Sequence, residues 1–204
     1  MSNTYSRYVA GTTGNLKMSF AQWQILVNKA DIINNSSSSI VLTPVIDKNK
    51  YVENNKIAPS STGFFDIEID PSNVDVSFNY NITLEVLNEN IPDLIITKYA
   101  ILDSNYDDGD TITYNNIQNN VISGSLDVDN TVTTNSDEIV ASSSDEIKNK
   151  GFKPFTIRIC FEWYEGTGEK MNDEADTLIG NNAQNNDLNI KASINFEQKL
   201  ETKV

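Results

Sequence analysis

The sequence contains no histidine and a single cysteine, Cys160, among its 204 residues. Without histidine the chain cannot form the His-containing serine or cysteine triads, the HExxH zinc proteases or a histidine general base. A lone cysteine excludes an intrachain disulfide, which leaves a partly covered structural thiol or, as the alternative, an interchain disulfide. Catalysis by a pair of carboxylates stays open, because the chain has 29 Asp and Glu residues.

Long apolar runs are also missing. No stretch approaches the roughly 20 apolar residues that a membrane-spanning helix needs. The first residues, MSNTYS, lack both the basic and the apolar part of a signal peptide. The chain is therefore interpreted either as an intracellular protein or as the mature form of an exported one, with Met1 added.

Positive charge is scarce, since 15 Lys and Arg oppose 29 Asp and Glu and leave a formal net charge of −14. Such a chain repels phosphate backbones and anionic lipid surfaces, so we expect no nucleic-acid partner and no membrane insertion. The acidity favours solubility and mutual repulsion between copies. Calcium-assisted packing outside the cell is the alternative interpretation.

What the sequence does contain is the alternation typical of strands. In DVSFNYNITLEVLN every second residue from Val76 to Val86 is apolar, which predicts a strand with one buried face and one solvated face. FFDIEI, TIRICFEW and DLNIKASINFE alternate in the same way, and SIVLTPVI, DLIITKYAIL, DTITYN and VISGSLDV are less regular candidates. Further strands are predicted from Tyr5 to Ala10 and up to Trp23, with a bulge or bend near Phe20. About nine strands predict an all-β fold, a two-sheet antiparallel jelly-roll-like sandwich.

One or two short helices are expected beside the strands. In NDEADTLIGNN, Asn172 is a candidate N-cap, Ala175, Leu178 and Ile179 share one face, and Gly180 is a stop signal. The segment NSDEIVASSSDEIKNKG has acidic residues early and lysines late, which suits a second helix, although its serine run weakens that prediction.

The segment DSNYDDGDT has the oxygen ligands of a calcium loop without its full pattern. Asp108 stands where an EF-hand needs glycine, and Tyr114 stands where it needs a bidentate glutamate. The Asp-Gly pair at 108–109 favours a hairpin turn between LIITKYAIL and TITY. The alternative is a Ca²⁺ site, and Ca²⁺ is the one cofactor considered; its ligands would be Asp103, Asn105, Asp107 and Asp110.

Carboxylates also flank an aromatic pair near the end of TIRICFEW. Glu162 and Glu165 would need a cleft and a defined spacing to act as a glycosidase pair. Alternation places Trp163 with the buried residues and Glu162 on the opposite face with Arg158 and Cys160. A solvated sheet face is the simpler interpretation, and no catalytic residue is predicted.

Three blocks of the chain resemble the TasA/camelysin family of exported bacterial proteins. They are SRYVAGTTGNLKMSFAQWQI, IRICFEWYEG, and NDEADTLIG leading into NIKASINFEQ. They lie at the two ends of the chain, and the middle matches only in composition. The resemblance implies a jelly-roll fold, export from a Gram-positive cell and a place in biofilm-matrix fibres, with other matrix proteins as further partners. The metalloprotease activity described for the camelysin branch is not expected, because histidine is absent.

That family polymerises by donor-strand complementation, which implies two parts for this chain. Residues 1–14 would be the donor segment and hinge, and residues 15–204 the jelly-roll domain. The donor strand would pair with the next copy through Thr4, Tyr5, Ser6, Arg7, Tyr8, Val9 and Ala10. Gly11 and Gly14 would form the hinge. If residues 2–10 instead pair in their own sheet, the protein is a monomer, and a surface adhesin or carbohydrate-binding sandwich is the alternative function.

Overall fold

The computed structural model describes residues 19–32, 40, 42–86, 93–128, 152–167, 172–181 and 190–200, together with the backbone of 133–134. Within these ranges the chain forms eleven strands and one helix. The strands are β1 Trp23–Val27, β2 Ala30–Asp31, β3 Val45–Ile46, β4 Thr62–Val74, β5 Phe78–Val86, β6 Leu94–Asp103, β7 Asn115–Asn116, β8 Val121–Leu126, β9 Thr133–Thr134, β10 Phe155–Trp163 and β11 Ile190–Gln198. The helix is α1, Asp173–Asn181.

The strands form two sheets in which every pairing is antiparallel. The first sheet has the order β2-β1-β4-β10-β6-β7, and β3 also pairs with β4. The second sheet has the order β11-β5-β8-β9. The predicted all-β, two-sheet antiparallel class is therefore confirmed. Of the two helices predicted from the sequence, α1 is the one that lies among the described residues.

The core lies between the two sheets and is built from the alternating residues of the long strands. Inward residues of β5 and β10 are almost fully buried, and those between them are exposed or half-buried. The rings of Tyr80 on β5 and Phe155 on β10 have centroids 5.7 Å apart, so they join the two sheets. Each large apolar side chain buried in this way contributes about 1.5–3 kcal/mol of transfer free energy.

Strand β4 is longer than FFDIEI predicts because it continues through a bulge at Pro71. Its buried positions are odd-numbered from Gly63 to Pro71, and the next buried residue is Val74. Across the pairing with β1, the partners jump from Leu26↔Asp70 to Gln24↔Asn73, which places one extra residue on β4. A proline has no N–H for the ladder, so a bulge is one of the few strand positions that accept it.

Two described segments differ from the prediction. The strand expected to end at Trp23 instead begins there as β1, and Phe20 is 93% exposed in an irregular segment. The predicted strand DTITYN is also wrong over residues 111–114, which are irregular; β7 comprises only Asn115–Asn116. Residues 111–114 do alternate, but no neighbouring strand lies in the described structure to pair with them. At Phe20 and Ala21 the alternation slips, as the predicted bulge or bend implies.

Helix α1 begins as predicted, with the Asn172 side chain accepting a hydrogen bond from the Ala175 N–H at 3.1 Å. Its buried face matches the prediction in part: Ile179 is buried and Ala175 half-buried, whereas Leu178 is 58% exposed and Asp176 is buried in its place. The second predicted helix and the donor segment lie outside the described residues. In the described part of the chain, no helix has the length and apolar character needed to cross a membrane.

Candidate functional site

Strand β11 has a partner on one side only. It pairs with β5 over nine residues, from Ile190↔Val86 to Gln198↔Phe78. No described strand pairs with its other side. An unpaired strand side presents a row of backbone N–H and C=O groups to which another strand can add. We call this unpaired side of β11 and its inward side chains the β11 edge.

The inward side chains of the β11 edge are incompletely covered. Ile82 and Leu84, their neighbours on β5, are 0% and 3% exposed, and both lie within the core. The corresponding residues of β11 are only half-buried; they are Ile190, Ala192, Ile194 and Phe196. Another strand beside β11 would cover this apolar row.

An aromatic cluster connects the β11 edge to the first sheet. Phe78 of β5 packs edge-on against Trp23 of β1 and Phe152, with centroid distances of 5.8 and 5.5 Å. The same ring lies 5.9 Å from the ring of Phe196 on β11. Strand β1 and the β11 edge therefore lie on the same side of the sandwich, and among the described strands the two-residue β2 alone lies beyond β1.

Ionic and backbone contacts hold the end of β11 in place. Lys199 Nζ contacts both carboxylate oxygens of Asp127 at 2.7 Å, and the Lys199 N–H donates to the Ser77 carbonyl at 2.8 Å. At the other end, Lys191 and Glu85 form an exposed ion pair at 3.4 Å. These contacts order both ends of β11 within the single chain, and an ordered edge lowers the entropic cost of adding a strand.

The other margins of the sheets are covered, at least in part, by short strands. β2, β3, β7 and β9 have two residues each. Short edge strands are one way in which proteins limit unwanted strand pairing. Among the described strands of nine or more residues, β11 is the one with no partner along its second side.

The expected donor residues Thr4, Tyr5, Ser6, Arg7, Tyr8, Val9 and Ala10 and the hinge residues Gly11 and Gly14 lie outside the described residues. The pairing of that segment, in its own sheet or in another copy, therefore stays a prediction.

The expected calcium ligands lie at the end of β6 and in the loop that follows it, where several of them bond the backbone. The Asp103 carboxylate accepts from the Asn105 N–H at 2.6 Å, and the Asp110 carboxylate accepts from the Asp107 N–H at 3.0 Å. Gly109 has a φ of 126°, a value that suits glycine. Within the described ranges no group of three or more His, Cys, Asp or Glu side chains is placed to hold a metal. The Ca²⁺ site stays a prediction.

The outer face of the first sheet carries Arg158 and Cys160, as the alternation predicts. The Arg158 guanidinium donates two hydrogen bonds to the Asp66 carboxylate, and it lies 4.0 Å from the Phe64 ring centroid. The hydrogen bonds to Asp66 raise the pKa of Arg158. Burial lowers this pKa, and the negative charge of Asp66 raises it. Cys160 is a half-buried free thiol, and burial raises its pKa.

A shallow polar groove of about 370 Å³ lies on the second sheet. Amides, hydroxyls and one carboxylate surround it, mainly from Asn79, Asn81, Ser123, Ser125, Asn195 and Glu197. Gly124 and Tyr80 also line this groove. Such a surface offers hydrogen bonds and little apolar contact.

Sequence reasoning missed a buried acidic pair beside α1. Trp163 is 3% exposed, as predicted, but its indole N–H donates to Asp176, and Asp93 is 1% exposed nearby. The sequence did hold one signal for the burial of Asp176. This residue lies three positions before the apolar Ile179 and therefore shares its face of α1.

A scan against protein-family models and a search of curated proteins both return no match to this chain.

Proposed function

We propose that this protein is a non-enzymatic structural subunit of an extracellular biofilm-matrix fibre. The subunits join head to tail when residues 4–10 of one copy add to the β11 edge of the next. The observation that supports this proposal is the nine-residue β11 edge, which has no described partner and a half-covered apolar face. The resemblance of the chain ends to the TasA/camelysin family supplies the expected location and the donor.

The lengths of the two partners are compatible. Seven extended residues span about 23 Å, and the nine residues of β11 span about 30 Å. Alternation places Tyr5 and Val9 on one face of the donor strand and Tyr8 on the other. One of these faces would cover the inward row of β11, and backbone hydrogen bonds would supply most of the affinity.

Head-to-tail geometry accounts for a filament. The donor and the acceptor are different segments of the chain, so the contact is heterologous and leaves one free donor and one free edge at the two ends. The hinge at Gly11 and Gly14 would let the donor leave its own domain. Further copies of the chain, and other matrix proteins with a free strand, are the partners this mode allows.

The first test removes the donor. A variant lacking residues 2–10 is expected to keep the circular dichroism of the full chain and to stay monomeric in size-exclusion chromatography and electron microscopy. A synthetic peptide of residues 2–12 should bind this truncated protein, whereas the same peptide with Tyr5→Asp and Val9→Asp should not. Filaments formed by the truncated protein would contradict the proposal.

The second test blocks the acceptor. Ile194→Lys places a charge in the half-covered row of β11, and Ser193→Lys on the opposite face is the matched control. Ile194→Lys should stop filament growth while the protein remains folded, and Ser193→Lys should not. A mixture of the truncated protein and Ile194→Lys should give a heterodimer and no filament. Normal filaments from Ile194→Lys would place the acceptor elsewhere.

The polar groove favours one second candidate, a monomeric carbohydrate-binding sandwich or adhesin. Its amides and hydroxyls could bond sugar hydroxyls, and binding of glycans by the truncated protein would test this. The described aromatic rings on the outer face of the first sheet are less suitable for sugar stacking. Lys98 lies over the Tyr114 ring at 4.3 Å, and Arg158 covers Phe64.

A further inference from the structure

Strand β11 directs backbone groups to its unpaired side at every second residue. The Lys199 N–H donates to the Ser77 carbonyl, one step beyond the last pair of the β11–β5 register, Gln198↔Phe78. Along an antiparallel ladder, the residues of a strand bond alternately to the neighbours on its two sides. The odd-numbered residues of β11 therefore bond β5. The even-numbered ones direct their N–H and C=O groups to the β11 edge; they are Ile190, Ala192, Ile194, Phe196 and Gln198.

The outward residues of β11 are complementary to themselves when two copies run antiparallel about Ile194. In that register, Lys191 of one copy stands opposite Glu197 of the other, and the twofold axis repeats this pair. Ser193 stands opposite Asn195, and both are polar and exposed. Opposite charges in cross-strand pairs stabilise an antiparallel sheet, and like charges directly opposite destabilise it. The charges of β11 therefore suit a second β11 as the neighbouring strand.

The inward residues of β11 match in the same register. Ile194 meets its own copy at the axis, and the small Ala192 stands opposite the large Phe196 on either side. All three are half-buried in the single chain. The same row of a second copy would remove their apolar surface from water.

Neighbouring registers do not give this match. Only a shift by an even number of residues keeps the inward side chains on the inner face. A shift by two residues sets Lys191 opposite Asn195 in one direction and opposite Lys199 in the other. The first loses the charge pairs, and the second opposes like charges. The sequence of β11 thus favours a single antiparallel register.

We propose that the β11 edge is also a homodimer interface, in which two copies pair antiparallel about Ile194 and their second sheets join into one. The contact is isologous, so it closes at two copies, and the pairing supplies about ten backbone hydrogen bonds. The dimer covers a strand side that would otherwise invite aggregation. It uses the edge proposed above for the donor strand, so a copy in the dimer cannot accept a donor, but it needs no donor segment itself.

Size and charge make this dimer weak. A contact limited to one strand from each copy falls below the roughly 1,200 Å² of a stable interface. Each copy also has a formal net charge of −14, so two copies repel each other over the rest of their surfaces. We therefore expect monomers at about 10 µM, the range of ordinary size-exclusion chromatography, and dimers above about 0.2 mM.

The first test uses sedimentation equilibrium of the full chain with Tyr5→Asp and Val9→Asp, which disable the proposed donor. This background should dimerise. Adding either Lys191→Glu or Glu197→Lys sets like charges opposite each other at both pairs, and should weaken dimerisation at least about fivefold. An equimolar mixture of these two variants restores opposite charges and should dimerise like the background.

Two controls separate the interface from other effects. Lys48→Glu makes the same change of charge at an exposed position outside β11, and it should leave dimerisation nearly unchanged. The mixture controls for the Lys191–Glu85 ion pair, because this pair stays broken in one component while dimerisation returns. Circular dichroism verifies that each variant is folded. If the background does not fold, freshly isolated wild-type monomer takes its place.

A disulfide tests the register itself, in the same background with Cys160→Ser. Ser193→Cys in one copy and Asn195→Cys in another would stand opposite each other with Cα atoms about 4.5 Å apart, within disulfide range. Oxidation of the mixture should crosslink the two variants. Either variant alone should crosslink at least about tenfold more slowly, because equal positions are two residues out of register.

The proposal is overturned if the donor-disabled chain stays monomeric up to about 0.5 mM, which would leave the edge to the donor or to an unrelated partner. It is also overturned if Lys191→Glu dimerises as well as Lys48→Glu, or if the single cysteine variants crosslink as fast as their mixture. Filament formation by the wild type is measured separately and tests the donor strand, so each of the two proposals can fail without the other.

Discussion

Gly124 on β8 lies directly opposite Tyr80 on β5, and the tyrosine ring occupies the space that a side chain at position 124 would fill. A Cβ at Gly124 would lie 2.5 Å from the Tyr80 hydroxyl oxygen and 2.6 Å from Cζ. The glycine therefore lets a large ring enter the core from a neighbouring strand, where it packs on Phe155.

Gly124→Ala should destabilise the fold because the ring or the strand must move to admit the methyl group. We expect a loss of about 1–3 kcal/mol in the free energy of unfolding, measured by urea denaturation. Ser125→Ala, the next residue on the same strand, is the control and should change stability by less than ~0.5 kcal/mol. An unchanged urea midpoint for Gly124→Ala would contradict this packing.

Tyr80→Phe should leave the stability at pH 8 unchanged or raise it by up to about 1 kcal/mol. The Tyr80 hydroxyl is buried without a hydrogen-bond partner, so its removal costs no bond. Burial also raises the pKa of Tyr80 above its ordinary value of 10.0. The protonated form therefore stabilises the fold below pH 10, and this contribution is lost at higher pH. Urea midpoints at pH 8 and pH 11 should show the wild type falling behind the variant at pH 11.

Arg158→Gln should cost about 1–3 kcal/mol of stability, because it removes a two-point bond between β10 and β4. The Arg158–Asp66 contacts are 2.8 and 2.9 Å, and the two side chains are 14% and 31% exposed. Lys191→Gln is the matched control, since the Lys191–Glu85 pair is more than half exposed. It should cost less than ~0.5 kcal/mol. Equal urea midpoints for the two variants would contradict the argument.

Cys160 should react slowly with thiol reagents in the folded protein. Burial raises its pKa, so the thiolate, which is the reactive form, is scarcer at pH 8 than for an exposed cysteine. We expect labelling by Ellman's reagent to be at least about tenfold slower in buffer than in 8 M urea at the same pH. Since Cys160 is the sole cysteine, the assay reports on this site alone. Equal rates in buffer and urea would mean that the thiol is freely exposed.

Asn172→Ala should destabilise α1 by about 1 kcal/mol, since it removes the side-chain acceptor of the Ala175 N–H. Asn172→Asp keeps an acceptor and should stay close to the wild type. Thermal unfolding of both variants at pH 7 distinguishes a lost cap from a general effect of substitution. If both lose equal stability, the cap is not the cause.

Period-two alternation was a sound guide wherever a strand had neighbours on the same sheet. It predicted β5, β10 and β11 and the burial of Trp163, because each inward residue faces the same core. The predicted strands were wrong at residues 111–114, where alternation occurs without a described partner strand, and at residues 19–22, where the alternation itself slips. Alternation indicates which side chains share a face of a strand. It does not indicate whether the strand pairs with another, because that depends on segments far along the chain.

The face of α1 shows the same limit. The spacing of Ala175, Leu178 and Ile179 predicted an apolar face, but the helix also turns Asp176 inward, where the Trp163 indole N–H donates to it and Asp93 lies nearby. These partners are 13 and 83 residues away in the chain, and no local pattern connects them. The β11 edge could not be predicted from the sequence either, since a strand side without a partner is identified only when the strand order is known.

The amino-acid sequence by itself determined the fold class, the alternation of the long strands, the capped start of α1 and the absence of histidine chemistry, because each follows from composition or from residues close along the chain. The tertiary structure decided the strand order, the side of β11 without a described partner, the Tyr80–Gly124 contact and the hydrogen bond from Trp163 to Asp176. These depend on distant segments packing together, where burial and pairing, rather than local preference, control the energy.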